Sequence, residues 1–588
     1  MWSTRLQNLL RKVYALRFLL RSRQKIFEDF GGPGSFLRWF ITNLAEQGAG
    51  TVIGKMMSRT AFLRRADANL YLDWIKSVEV IPSVDPSVSL PQVGIVVFLR
   101  EDNVRFVKRF VQHLEDERWV RRIDFVLTSS CDLEPVIADC QTKSRIFIHR
   151  IADSKLIGSI YSDDTVDGVV VLHTLCLFQR SWVLAVYNQF LSGSDAIIFD
   201  HDQIVNKQRA RPRFKPGYCK ELLFDPSYVP VAFVDVKLFQ KMTQETVVSS
   251  LSGAAIVSGC LLLAKEVSHI SDILVHLLAP APEWKDEIDI TSKSMVRMLV
   301  DKTHEFSHYP ELYEKPEGDV LVSILIPICD KIELTKRCVH SILKHAYRFE
   351  IEILVLDNQS SDPETLSWLA EQSMNGVIKT IVCDYNFNWS KVNNDGIQEA
   401  SGDFLILLNN DTEVITPDWV DRLVMLGLQE EVGTVGPLLL YPDRLIQHAG
   451  VVIGYGGYAD HVFSGETIED RGEEIFISPL VRREVLASTG ACLAFSRQTY
   501  NKVGKFSEQL DIAGDIDFCL RAHSIGSRNF LDPATVLLHL ESKTRTKGLP
   551  EKDKRVLEDQ IIKTCPKGDP FFNKNLSLSS LSPMPRLY

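Results

Sequence analysis

Short apolar runs alternate along this chain with stretches of helical periodicity, and each run stops at polar turn formers. Gly94–Leu99 is the first run, Ile123–Thr128 follows an amphipathic stretch, and Ala196–Phe199 leads into Asp200-His201-Asp202. Proline then breaks the pattern at Pro280, Pro282, Pro310 and Pro316. A second series begins beyond it: Val322–Ile326, Ile351–Leu356, Val377–Val382 and Phe404–Leu408. Strands that alternate with helices predict βαβ units and parallel sheets, and runs with no polar alternation predict strands buried on both faces. The two series also resemble each other. Val186-Tyr-Asn188, Ser192-Gly193 and Ala196 to Asp202 parallel Val392-Asn-Asn394, Ser401-Gly402 and Leu405 to Asp411 in order and nearly in spacing. A tandem duplication of one α/β domain is the expectation.

The first 80 or so residues differ. Arg5, Arg11, Lys12, Arg17, Arg21, Arg23 and Lys25 precede any acidic residue and interleave with Leu9, Leu10, Val13, Leu16, Phe18, Leu19 and Leu20. A basic amphipathic helix of this kind can lie on an anionic membrane surface, or pack on the acidic body of its own chain. Charges interrupt every candidate signal-peptide core, Gly31-Gly32-Pro33-Gly34 ends the pattern, and no apolar run is long enough to span a bilayer. The 588 residues exceed one core, and the formal net charge of −10 argues against a nucleic-acid partner. Eleven cysteines form no CxxC pair or zinc spacing, which suits a reducing cytoplasm.

The chemistry gathers in the second series. Phe404–Leu408 stops at Asn409, Asn410 and Asp411, and ligands of open α/β sheets bind at the carboxyl ends of such strands. A carboxylate with an amide two residues before it is a hard-oxygen site for Mg²⁺ or Mn²⁺ carrying a diphosphate. Asp357 closes another strand and can accept the imino N–H of a pyrimidine. Asp362, before Pro363, suits a helix cap instead. Asp515 opens an amphipathic helix and is the candidate general base for a sugar hydroxyl, with Asp517 expected to pair with Arg521 one turn on. His539 ends a short strand, where an imidazole can complete a metal site begun by Asp411.

These segments carry a resemblance. Val322-Ser-Ile-Leu-Ile-Pro327, Leu356-Asp-Asn-Gln-Ser-Ser-Asp362, Asn386-Phe-Asn-Trp-Ser390 with Asn393-Asn394-Asp-Gly396, and Leu407-Leu-Asn-Asn-Asp-Thr-Glu413 come in that order. Gln447-His-Ala-Gly450, Thr489-Gly-Ala-Cys492, Asp515-Ile-Asp-Phe-Cys-Leu-Arg521 and His539-Leu-Glu-Ser542 complete the series. Together they resemble the inverting family-two glycosyltransferases of the GT-A fold, in the bacterial branch that builds rhamnan, O-antigen and other surface polysaccharides.

The resemblance implies an α/β chain of two tandem GT-A domains, Rossmann-like with mostly parallel sheets. A basic helical segment over 1–85 would precede a degenerate GT-A-like domain over 90–280. A linker over 281–318, the catalytic domain over 319–550 and a tail over 551–588 would follow. It implies that Pro327, Asp330 and Asp357 contact the nucleoside of a UDP- or dTDP-sugar, that Asn409 and Asn410 lie against the donor, and that Asp411 and His539 hold the cation. Asp515 would be the base. Asn393 stands where relatives often place a donor-contacting Arg, Gly514 where many carry Glu, and Cys329 where an aromatic or Lys is common. A glycan or lipid-linked glycan acceptor at the cytoplasmic face of the membrane is the expected partner.

In the first series Asp200-His201-Asp202 keeps a full DxD, but Val257–Lys265 is apolar where the base-bearing helix is expected, and no acid lies between Glu245 and Glu266. Loss of transfer with retention of architecture or acceptor binding is the expectation, and with it that Asp200→Ala plus Asp202→Ala spares activity. Two rival readings are a docking protein built on decayed domains and a nucleotidyltransferase. The latter favours a Gly-rich basic phosphate loop, which Pro327-Ile-Cys-Asp-Lys331 does not provide.

Overall fold

The computed structural model describes residues 71–77, most of 91–279, 319–468, 475–540, 550–579 and 583–586. The basic segment before residue 71, the linker over 281–318 and the segment after His539-Leu540 that includes Ser542 lie outside the described residues.

Two mixed sheets, mostly buried, form the body of the molecule. The first has strands β1 (Val93–Leu99), β2 (Val120–Leu127), β3 (Ile146–Arg150), β4 (Gly168–Leu172), β5 (Cys176–Phe178), β6 (Ala196–Val205), β7 (Gln208–Arg213), β8 (Val231–Asp235) and β9 (Val267–Leu277). Their order is β3-β2-β1-β4-β8-β6-β9-β5, with β7 on β6. The second has β10 (Leu321–Ile328), β11 (Glu350–Asp357), β12 (Lys379–Val382), β13 (Phe404–Leu408), β14 (Thr412–Val414), β15 (Val432–Leu440), β16 (Ile446–His448), β19 (Arg483–Glu484), β20 (Cys492–Ser496) and β21 (Arg528–His539). A hairpin of β17 (Val451–Ile453) and β18 (Ala459–His461) stands apart. The second order is β12-β11-β10-β13-β20-β15-β21-β14. Strand for strand the two orders are the same.

The apolar runs explain the strands. Every residue of β1, β4, β13 and β20 is buried, because helices cover both faces. The helices carry explicit start signals: the Asp362 carboxylate caps Pro363–Met374 by accepting the Thr365 N–H at 3.0 Å, and the Asn388 side chain caps Trp389–Glu399 through Lys391 N–H at 2.8 Å. Asp362 thus takes the capping role its place before Pro363 predicts.

The two bodies share one hydrophobic cluster. Phe214, Leu222 and Tyr228 of the first pack in it with Leu438, Tyr455, Phe476 and Leu531 of the second. The shared cluster also includes Tyr71 and Trp74, so the first body begins no later than residue 71, earlier than the expected boundary. Arg528 on β21 adds charge at the seam, bonding Glu221 at 2.6 Å and Glu484 at 3.0 Å.

The stretch after residue 550 is no loose tail. Helix Glu551–Thr564 buries Leu557 against Leu520 and Leu510, and Asp553 accepts the backbone N–H groups of Asp511, Ile512 and Ala513. Its sequence is largely polar, so little in it signals this packing. Beyond it the chain runs along the seam: Phe572 packs on Tyr455 and Phe476 of the second body, and Asn573 Nδ2 donates to Asp200 Oδ2 at 2.7 Å and to Lys215 O at 2.8 Å in the first.

Removing a donor that serves two buried acceptors costs about 1–3 kcal/mol. Asn573→Ala is therefore expected to lower the unfolding free energy measured by urea titration by that much, with a lower midpoint. Lys574→Ala, next to it on an exposed ion pair of 3.8 Å, is expected to leave the midpoint unchanged.

Candidate active site

The carboxyl ends of the parallel strands β11, β10 and β13 form one edge of the second sheet, since Ile328 pairs with Asp357 and Leu325 with Leu407. Asp357, the last residue of β11, is 5 % exposed and accepts the Ser360 N–H at 3.1 Å. Pro327 lies one residue before the end of β10 and is partly exposed. Asp330 has a left-handed backbone (φ 53°), and its Oδ1 accepts the N–H groups of Ser361 at 2.8 Å and Asp362 at 2.9 Å. It therefore ties the loop after β10 to the loop after β11, a structural duty not visible in its spacing.

Beyond β13, Asn409 is partly exposed and its N–H donates to Ala491 O at 2.9 Å, while Asn410 Nδ2 donates to Thr335 Oγ1 at 3.2 Å. The antiparallel pairing of β14 with β21 sets Thr412 opposite His539, and Leu540 N–H donates to the Asp411 carbonyl at 2.8 Å. That register brings Asp411 Oδ1 within 3.2 Å of His539 Nε2. Both residues are under a tenth exposed, and His539 Nδ1 has no hydrogen-bond partner among the described residues. Among the described residues no group of three or more His, Cys, Asp or Glu side chains could hold a metal ion. Asp411 and His539 are thus a two-group donor set, carboxylate and imidazole, of the kind that leaves the remaining positions of a cation to phosphate and water.

Asp515 sits in the first turn of helix Gly514–Ser524, where the dipole favours a carboxylate. Its Oδ2 accepts the Gly490 N–H at 2.6 Å. Gly490 lies two residues before β20, whose Cys492 pairs with Leu408, so this bond anchors Asp515 beside the end of β13. Asp517 takes the structural role its spacing predicts, bonding Arg521 Nε at 2.9 Å.

Two features of the site have only weak signals in the sequence. The Trp389 ring, 4 % exposed, fills the space between two glycines: a Cβ on Gly490 would meet it at 2.5 Å, and one on Gly514 would meet Ser390 Oγ at 2.3 Å and the ring at 3.1 Å. The departure at Gly514 has this steric cause. Asn393, expected at the donor, is fully buried within helix Trp389–Glu399 and gives its Nδ2 to Trp389 O at 2.8 Å. It presents no surface to a ligand, because its position faces the core side of that helix. Asn394 beside it is a packing hub, donating to Phe506 O at 2.9 Å and accepting from Tyr500 Oη and Phe506 N–H at 3.0 Å each.

The first body corrects the alignment drawn from sequence. β4 and β13 occupy the same place, each parallel to the first strand of its sheet and antiparallel to the next neighbour. Between β4 and β5 lie His173, Thr174 and Leu175; between β13 and β14 lie Asn409, Asn410 and Asp411. Leu175 therefore stands where Asp411 does. Leu277 opposes Cys176 as His539 opposes Thr412, and Leu127 pairs with Leu99 as Asp357 does with Ile328. Helix Gly253–Leu263 has Ala254 where Gly514–Ser524 has Asp515.

Asp200-His201-Asp202 lies instead inside β6, the counterpart of β15. Both carboxylates are fully buried and spent on internal partners. Asp200 accepts from Lys215 N–H at 2.9 Å, Asn573 Nδ2 at 2.7 Å and the His269 ring at 2.8 Å. Asp202 bonds Arg209 Nε and His276 Nδ1 at 2.6 Å each, and the Tyr71 hydroxyl. Lys215 Nζ lies 2.9 Å from His201 Nδ1, and burial pushes its ammonium down to about 7.

Residues 323–444 match glycosyl transferase family 2, which makes this part of the second body a family-two glycosyltransferase domain. The O-antigen biosynthesis protein RfbC of Myxococcus xanthus is 29 % identical over 449 residues, covering 72 % of this chain and 34 % of that protein. The uncharacterized protein y4gI of Sinorhizobium fredii is 36 % identical over 271 residues, covering 45 % of this chain and 30 % of that one. The chain spans about a third of the length of both relatives. Among solved structures, GalNAc-T7 with UDP, GalNAc and Mn²⁺ aligns over 43 % of this chain and 50 % of its own, at 18 % identity and a TM-score of 0.34.

Two outcomes follow. Asp202→Ala removes the carboxylate shared by the buried His276, the Tyr71 hydroxyl and the partly exposed Arg209, so it is expected to cost about 3–5 kcal/mol in a thermal or urea melt. The expectation that Asp200→Ala with Asp202→Ala spares transfer activity then applies to the fraction of the variant that stays folded. Gly514→Glu forces a side chain into Ser390 and Trp389 and is expected to cost about 1–3 kcal/mol in the same melts.

Proposed function

We propose that the second body transfers a sugar from a UDP- or dTDP-sugar to a growing cell-surface glycan, with inversion at the anomeric carbon. The observation that carries this reading is convergence: Asp357, the Asp411–His539 pair and Asp515 meet at one strand-end edge. In this reading Asp357 receives the base, with Pro327 beside it and the loop that Asp330 holds around it. Asn409 and Asn410 face the diphosphate.

Asp515 is the carboxylate placed as base, held by the Gly490 N–H. It removes the proton from the acceptor hydroxyl as that oxygen bonds to the anomeric carbon. The bond to the diphosphate oxygen breaks on the opposite face, and the nucleoside diphosphate departs with the electron pair. One displacement by one base inverts the configuration. A Mn²⁺ or Mg²⁺ held by Asp411 and His539 would supply charge neutralisation for the leaving diphosphate.

The first body is inferred to be a scaffold with no transfer chemistry of its own, since Leu127, Leu175, Ala254 and Leu277 occupy the four matching positions. Similarity to the O-antigen biosynthesis protein of Myxococcus xanthus supports a surface polysaccharide as product. A lipid-linked acceptor would set the site at the inner face of the cytoplasmic membrane. No helix among the described residues is long and apolar enough to cross one.

The test is turnover of nucleotide sugars by the purified full chain with Mn²⁺. Asp515→Asn is expected to lower kcat about 10²–10⁴-fold while UDP or dTDP still raises the melting temperature. Chelation by EDTA is expected to abolish turnover reversibly. A wild-type chain that neither hydrolyses nor transfers any donor would instead fit the docking-protein alternative.

A further inference from the structure

Asp553 lies on helix Glu551–Thr564, is fully buried, and takes its hydrogen bonds from one short piece of backbone. Its Oδ1 accepts the N–H of Asp511 at 3.0 Å. Its Oδ2 accepts those of Ile512 at 2.9 Å and Ala513 at 3.1 Å. A carboxylate in a core is costly unless its lone pairs are met, and three consecutive N–H groups meet them here.

Those three residues lead into the helix that carries Asp515. Ala513 immediately precedes helix Gly514–Ser524, and its carbonyl accepts the Asp517 N–H at 3.2 Å. Alanine has no oxygen with which to cap a helix, and no side chain caps this one. Gly514, the one residue between Ala513 and Asp515, has no side chain to restrain its backbone. The start of the helix is therefore fixed by what holds the loop before it. Besides Asp553, the entry of helix Trp389–Glu399 does so: Trp389 N–H donates to Asp511 O at 2.9 Å, and Asn388 Nδ2 to Asp511 Oδ1 at 3.2 Å. The Gly490 N–H fixes the tip of the Asp515 side chain, while this clamp fixes the backbone from which it projects.

Resting on the reading of Asp515 as the base of a sugar transfer, we propose that Asp553 is a positioning residue for that base. It touches no reactant, and acts by setting where the helix that bears Asp515 begins. Proton removal depends steeply on the distance from the base to the acceptor hydroxyl, so a small shift of the helix start is felt in the chemical step. Asp357 and the Asp411–His539 pair are placed by strand pairing instead, and nucleotide binding does not share this dependence. The C-terminal helix thus belongs to the catalytic apparatus of the second body.

The experiment uses the full chain with Mn²⁺ and follows turnover of UDP- and dTDP-hexoses, calorimetric binding of UDP and dTDP, and thermal melts. Asp553→Ala is expected to lower kcat about 10- to 100-fold at temperatures where it is fully folded, with the affinity for UDP or dTDP unchanged. Asp553→Asn keeps one acceptor oxygen and is expected to fall between Asp553→Ala and wild type. It also decides the matter by itself if Asp553→Ala does not fold. Asn573→Ala, which removes buried hydrogen bonds at the seam rather than at the base, is expected to melt lower and keep the wild-type kcat.

A wild-type kcat in folded Asp553→Ala, or in Asp553→Asn where only that variant folds, would overturn the proposal. So would an equal fall in kcat in Asn573→Ala, or a parallel loss of nucleotide affinity, since either would mark a general loosening of the fold. A wild-type chain that turns over none of these donors would overturn the glycosyltransferase reading itself, a result obtained before any variant is compared.

Discussion

The pairing of β14 with β21 is the contact on which the site depends. Antiparallel registration of Thr412 with His539 brings two residues far apart in sequence to 3.2 Å between Asp411 Oδ1 and His539 Nε2. The sheet around them is apolar, so the polar groups can gather only where strands end. The same rule sets Asp357 at the end of β11 and leaves Asp515 to approach from the helix before β21. A shift of one residue in β14 would turn Asp411 to the other face and dissolve the pair. The chemistry is thus a property of register, and the buried apolar strands are what hold that register.

The first body shows what such a sheet becomes when the strand-end charges are gone. Its order matches the second strand for strand, yet Leu127, Leu175 and Leu277 occupy the three strand-end positions. Its buried carboxylates have moved inward, onto β6, where each has fixed protein partners. Asp200 accepts from the C-terminal stretch through Asn573, so an acid that could have faced a ligand instead binds another part of the same chain. A buried ion network is weak evidence of stability but strong evidence of a unique arrangement, since removing any one partner leaves the others unpaired.

The sequence made the architecture readable because each strand is an unbroken apolar run, and because the cap at Asp362 and the Asp517–Arg521 pair follow local rules. It misled at Asp200-His201-Asp202. An apolar run followed by acids looks alike whether the acids lie beyond the strand or within it, and only pairing decides which. β6 continues through its acids to Val205 because His201 and Gln203 find partners on β7. Asn393 failed for a similar reason: the face of a helix that meets the core is set by packing, while the motif around it carries no such information. The duplication itself is real in the topology, although the segments first matched for it are not the equivalent ones.

Why a spent sheet persists follows from the core. Tyr455, Phe463 and Phe476 pack in a cluster that also holds Phe214 and Leu222, and large apolar side chains each contribute about 1.5–3 kcal/mol when buried. Those residues belong to the insertion between β16 and β19. Without the first body that insertion would expose its aromatic face to water. The first sheet therefore contributes to the second by covering the aromatic face of that insertion.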